Sequence, residues 1–156
     1  MLTSEIIWQT ILSGLLMGCI YALVAIGLCV IWGLMEIVNF AHGEFLMLAM
    51  FTAFWGFSLF HMDPLLSLPF CMIILFLIGV ATYYIIIKKI IKAPFLAQIL
   101  STFGLGIFLR YLAQFMFSPD FRTIKNPLLS GNVYLGEISI GIPQLVASLV
   151  CIATFI

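Results

Sequence analysis

The sequence predicts an all-α, polytopic membrane protein with about four complete transmembrane helices and the start of a fifth. Three observations carry that expectation. First, the 156-residue chain is 65% hydrophobic and 8% charged, whereas soluble domains carry about 25% charged residues. With a mean hydropathy of +1.30, it has too little polar surface to face water on all sides. Second, its apolar residues fall in runs long enough to cross a hydrocarbon core of about 30 Å as helices. Third, those runs lack the alternation of strands, and lipid admits only helices or closed barrels. The net charge is zero, so no basic face for nucleic acid and no acidic tail is expected.

The elements follow in order. Ile6 to Met35 contains no charge, and as a straight helix it would measure about 45 Å. It therefore spans, and tilts, protrudes or breaks. A polar interruption covers residues 36–44. Phe45 to Phe60 comes next, about 24 Å as a helix and short for a span. His61 to Pro64 make a turn. Leu65 to Ile87 is a clear span of about 35 Å, ended by Lys88, Lys89 and Lys92 and by Pro94. Phe95 to Phe117 is the next span and contains Arg110. Ser118 to Pro143 is polar and turn-rich, hence aqueous. Gln144 to Ile156 opens another apolar run, too short to cross. A span that stops midway leaves carbonyls in hydrocarbon. Residues 1–156 are thus expected to be the N-terminal portion of a single transmembrane domain, truncated within a span.

No Lys or Arg precedes Lys88. A basic leader of the secretory kind is therefore not expected, and the Lys88–Lys92 cluster is the strongest orientation signal. It is expected in the cytoplasm, with the N-terminus outside, in the multi-pass topology of a cell inner-membrane protein. Ser118 to Pro143 then falls outside, although Arg122 and Lys125 argue mildly against that. Cys19, Cys29, Cys71 and Cys151 all lie in apolar runs without CxxC spacing and read as small hydrophobes.

Two ridges are visible in the spacing. Gly14, Gly18 and Ala22 recur at four-residue steps, as do Ala25, Cys29 and Gly33. Such small ridges let helix backbones approach, either within the protein or in self-association. Gln98, Thr102, Gly106, Arg110 and Gln114 form a polar ridge on the fourth span. Arg110 either snorkels to the nearer interface or lines a polar interior, and the sequence leaves both open.

The stretch VNFAHGEF concentrates the chemistry. Glu36, Asn39, His42, Gly43 and Glu44 sit between strongly apolar runs. A zinc-protease helix needs a second His one turn from the first, and none follows His42 at that spacing. GxSxG elbows and GxxxxGK[ST] loops are absent, so hydrolytic and P-loop readings fall away. No catalytic residue, metal or cofactor is expected. On a helix, Glu36, Asn39 and Gly43 would share a face. The segment reads as a polar break lining a cavity or buried in protein. The competing reading is a solvated hairpin in which Asn39 caps a helix and Glu44 favours its N-terminus.

Gly14 to Leu48, GLLMGCIYALVAIGLCVIWGLMEIVNFAHGEFLML, closely resembles the N-terminal region of permease subunits of branched-chain amino-acid ABC importers. Their pattern, G-x-x-x-G-x-x-Y-A-L-x-A-x-G-L followed by I/V-N-F-A-H-G-E, is met at Gly14, Gly18, Tyr21, Ala22, Leu23, Ala25, Gly27, Leu28 and Val38 to Glu44. Ser101 to Phe117 also resembles the family's later span. The resemblance implies a transport subunit rather than an enzyme, with ATP hydrolysis on separate cytoplasmic ABC subunits. It implies a second permease subunit, alike or related, and an extracytoplasmic solute-binding protein. It makes Asn39, His42, Gly43, Glu44, Glu36 and Tyr21 the pathway or gate candidates. Two departures stand out. Members are longer, with the ATPase-docking loop in the half absent here, and KKIIKAPF replaces an arginine-rich stretch with an R-P pair. Lys keeps that charge without the fork geometry. The alternatives are a permease of the same fold for urea or short amides and, more distantly, a membrane assembly factor or intramembrane enzyme.

Overall fold

The computed structural model describes residues 2–118, 123–124, 131–135 and 138–155. Arg122 and Lys125 lie outside the described residues. The chain is predominantly helical: α1 Leu2–Met35, α2 His42–Phe60, α3 Leu68–Thr82, a π-helical segment Tyr83–Ile87, α4 Lys88–Ile90, α5 Phe95–Phe117 and α6 Ile142–Phe155. Among the described residues four stretches are long and apolar enough to cross a membrane: Ile6–Met35, His42–Phe60, Leu68–Ile90 and Phe95–Phe117. Two short antiparallel strands, β1 Asn132–Leu135 and β2 Ile138–Gly141, lie in the turn-rich segment after α5.

The chain divides into two compact units, Met1–Cys29 with Leu129–Ile156, and Val30–Leu128. In the first, Gln9 bonds the hairpin edge in both directions. Its Nε2 donates to the Ser139 carbonyl at 2.6 Å, and its Oε1 accepts from the Ser139 N–H at 2.9 Å. The Cys151 thiol donates to the Cys19 carbonyl at 2.7 Å. The hairpin pairs Asn132 with Gly141 through Leu135 with Ile138. Gly131 enters it at φ 118, a left-handed conformation that favours glycine. Its carbonyl accepts from the Ile142 N–H at 3.1 Å, so α6 starts at Ile142 rather than Gln144.

In the second unit α1 ends at Met35 because Glu36 turns left-handed, φ 57, while its N–H still reaches the Trp32 carbonyl at 2.8 Å. The polar interruption is 36–41, shorter than the 36–44 predicted, because His42, Gly43 and Glu44 already belong to the first turn of α2. The grouping of Glu36, Asn39 and Gly43 on one helical face is not realised, since residues 36–39 are not helical. Asn39 does not cap α2 in the expected way. Its Oδ1 accepts from the Ala41 N–H at 3.1 Å, an Asx turn that leads into the helix.

The expected turn after α2 is present. His61 is left-handed at φ 52, and the N–H groups of His61 and Met62 return to the carbonyls of Phe57 and Gly56, the pattern of a Schellman stop. Asp63 Oδ1 accepts from the Leu65 N–H at 3.0 Å. The third span therefore starts at Leu68, three residues later than the apolar run alone implies, and it continues through the π segment to Ile90.

The Glu36 conformation yields a prediction. A non-glycine residue in the left-handed region costs about 1–2 kcal/mol relative to glycine. Glu36→Gly is expected to raise the thermal unfolding midpoint of the detergent-solubilised protein, read by tryptophan fluorescence, and Glu36→Val to lower it.

Candidate functional site

The site is built where the polar ridge of α5 meets the interruption between α1 and α2. Thr102 is fully buried, and its hydroxyl lies 3.2 Å from the Val38 carbonyl and 3.1 Å from those of Gln98 and Ile99. One turn on, Gly106 leaves room for the chain to cross. A methyl group there would stand 3.5 Å from Ala41 Cα and 3.7 Å from Glu44 Cγ. Ala41, Leu105 and Leu109 form a buried apolar cluster, with Phe45, Leu48 and Ile86 packed against it.

These contacts fix the depth of the interruption. The 23 residues of α5 make a helix of about 34 Å, with Thr102 about 10 Å and Arg110 about 22 Å from its Phe95 end. The segment 38–44 thus lies beside the interior of a membrane-crossing helix and not at its end. Phe51 stacks on Phe117 at 4.9 Å between ring centroids, so α2 and α5 run in the same direction with a constant offset.

Glu44 is buried in the first turn of α2. Arg110 reaches it from α5: Nε donates to Oε1 at 3.1 Å, and Nη2 contacts the same oxygen. The carboxylate is largely enclosed, with 12% of its side chain exposed against 61% for the arginine. A negative group at a helix N-terminus also sits well in the field of the helix dipole.

On the far side of the interruption is a cavity of about 310 Å3. Its walls are Ile31 and Met35 from the end of α1, Ile37, Asn39, His42 and Phe45, and Gly79, Thr82, Tyr83 and Ile87 from the third span. The wall from the third span includes the π segment, a widened turn of a kind frequent at functional sites. This π segment is not among the elements expected from the sequence. Its one signal is the β-branched run Ile85–Ile87, which crowds a regular helix.

The predicted candidates separate. Asn39, His42, Glu44, Thr102 and Arg110 gather around the interruption. Gln98 is buried one turn lower, and its Nε2 lies 3.3 Å from the Ile91 carbonyl and 3.1 Å from that of Ala93, closing the lysine-bearing turn. Glu36, Gly43, Tyr21 and Gln114 are exposed in these units. Open space surrounds Gly14 and Gly18, and Ala22 is half-buried. Among the described residues no cluster of His, Cys, Asp and Glu could hold a metal ion.

The sequence profile of the branched-chain amino acid transport system / permease component family matches residues 10–156. The chain belongs to this family. It is 34% identical over 140 residues to the high-affinity branched-chain amino acid transport system permease protein BraD of Pseudomonas aeruginosa, a match covering 84% of this chain and 45% of that protein. It is 39% identical over 46 residues to the permease protein LivH of Escherichia coli K12 and of Salmonella typhimurium, covering 30% of this chain and 15% of each relative. The chain thus spans about half the length of the longest-matching of these relatives, at 45%. No solved structure matches it.

The ion pair between two spans generates a prediction. Removing one member leaves a charge without its counter-ion in low-dielectric surroundings, whereas removing both does not. Glu44→Gln and Arg110→Gln are each expected to lower the amount of folded protein in membranes several-fold, measured by fluorescence-detected size exclusion. The double variant should recover most of it, and additive losses would show the pair to be uncoupled.

Proposed function

We propose that this chain contributes to the translocation path of an ABC importer for branched-chain or similar amino acids. The observation that carries this reading is the family match across residues 10–156. The geometry supports it: an interrupted helix, with polar side chains, lies beside the interior of a span, as expected where backbone lines a cavity. On this reading a second permease subunit completes the path, an extracytoplasmic binding protein delivers the solute, and cytoplasmic ATPases drive alternation. The chain itself performs no covalent chemistry. The Asn39–Glu44 segment is the gate or its support. The Lys88–Lys92 turn faces the cytoplasm and the N-terminus lies outside, in keeping with the excess of basic residues on cytoplasmic loops.

Two measurements test this. The first is the initial rate of leucine uptake in the assembled transporter, normalised to membrane abundance. Asn39→Ala leaves a polar partner unsatisfied, worth about 1–3 kcal/mol, so its uptake should fall about tenfold. Glu44→Gln should also reduce uptake, and His42→Ala should vary most. Parental rates for both Asn39→Ala and Glu44→Gln would make the segment a structural turn. The second measurement is topology. In a background free of cysteine, Ala93→Cys should resist an impermeant maleimide in intact cells while Asn126→Cys reacts, and the reverse would invert the orientation.

A further inference from the structure

We infer that the cavity between the interruption and the π segment is a subsite for the aliphatic side chain of the amino acid in transit. The inference deepens the transport reading above and rests on it. At about 310 Å3 the cavity lies at the small end of ligand pockets, which run about 300–1,000 Å3. That suits a small metabolite rather than a peptide.

Its lining is mostly apolar. Ile31, Met35 and Ile87 give it an apolar wall, while Asn39 and His42 stand on the side of the interruption. The Asn39 carboxamide spends its oxygen on the Ala41 N–H, so its NH2 group is the donor it has left. Of the interruption residues that line the cavity, Ile37 and Asn39 have main-chain N–H groups that make no main-chain hydrogen bond among the described residues. A free amino acid is divided in the same way. Its branched side chain needs an apolar wall, and its carboxylate needs donors. Urea or a short amide would leave the apolar wall without a partner, and an acyl chain would leave the donors without one.

Gly79 gives a clean perturbation. No atom stands within 4 Å of the position its Cβ would take, and the residue lines the cavity. The first carbon of a side chain there meets no atom, and a leucine adds bulk at the cavity wall. The reporter is Thr82→Cys, in a background where Cys19, Cys29, Cys71 and Cys151 are replaced, within the assembled transporter in membranes. Its rate of labelling by a permeant maleimide is followed with added leucine, isoleucine, valine, alanine or urea. Leucine uptake is measured on the same membranes, and Ala93→Cys labelling controls for folding.

The expected result is slowed labelling by leucine, isoleucine and valine at concentrations at least about tenfold below those needed for alanine. Urea should give no protection, and Gly79→Leu should abolish protection by leucine while Ala93→Cys labels normally. Leucine uptake without any protection by leucine overturns the subsite and leaves the transport reading standing. Protection by urea, or equally by alanine and leucine, overturns the aliphatic assignment. Protection by leucine without uptake keeps the subsite and removes the transport reading. The absence of both removes both.

Discussion

Where a chain stops being helical beside the interior of a membrane-crossing helix, its main-chain groups lose their i→i−4 partners in a place water does not freely reach. The rest of the second unit is arranged around that constraint. The Val38 carbonyl is met by Thr102, the Ala41 N–H by Asn39, and the His42 N–H by the Asn39 carbonyl at 3.2 Å. Gly106 matters for a geometric reason. A methyl on that face of α5 would already touch Ala41 at 3.5 Å, so a side chain longer than alanine would have to displace Ala41, whose near neighbour in sequence, Val38, carries the carbonyl that the Thr102 hydroxyl meets. The polar ridge on α5 is therefore the complement of the interruption, residue against residue, for two of its turns.

The same low-polarity setting explains why Glu44 and Arg110 meet. An acid at the first turn of α2 gains from the helix dipole, but it is buried, and a buried carboxylate needs a counter-charge. Arg110 supplies one across 66 positions of sequence. Both nitrogens converge on a single carboxylate oxygen rather than forming a parallel fork. The contact is thus an ion pair that tolerates some sliding, and less a rigid two-point clamp.

Much of this was legible in the sequence. Hydropathy placed the spans, and the four-residue spacing of Gln98, Thr102, Gly106 and Arg110 marked one face of α5. Boundaries were less accessible. Nothing in the residue type of Glu36 announces a left-handed conformation, so polarity alone extends the break to residue 44 where the structure ends it at 41. Asn39 has the right chemistry for a helix cap, but it acts two residues early as an Asx turn. The pairing of Glu44 with Arg110 has a signal in the sequence. Away from the lysine turn they are the opposite charges inside the spans, and in hydrocarbon such charges are expected to pair. The π segment left only a faint trace, because a widened turn is set by packing against neighbours rather than by composition.

On the transport reading, the arrangement also answers how such a joint could move without dismantling its core. The Thr102 hydroxyl lies about equally far from three carbonyls, 3.2 Å from Val38 on the moving segment and 3.1 Å from Gln98 and Ile99 on its own helix. If α2 slides along α5, the hydroxyl passes its hydrogen to its own helix and is never left unsatisfied. A methyl placed at Gly106 would lie in ordinary van der Waals contact with Ala41, so the contact there is between smooth surfaces and not interlocked ones. Arg110 can follow Glu44 through its long side chain. What changes on sliding is the environment of the Val38 carbonyl and of the flanking residues Ile37 and Asn39, and those two border the cavity. A ligand that satisfies those groups stabilises one position of α2 over another by the difference it makes there, which is the condition for a solute to bias its own passage.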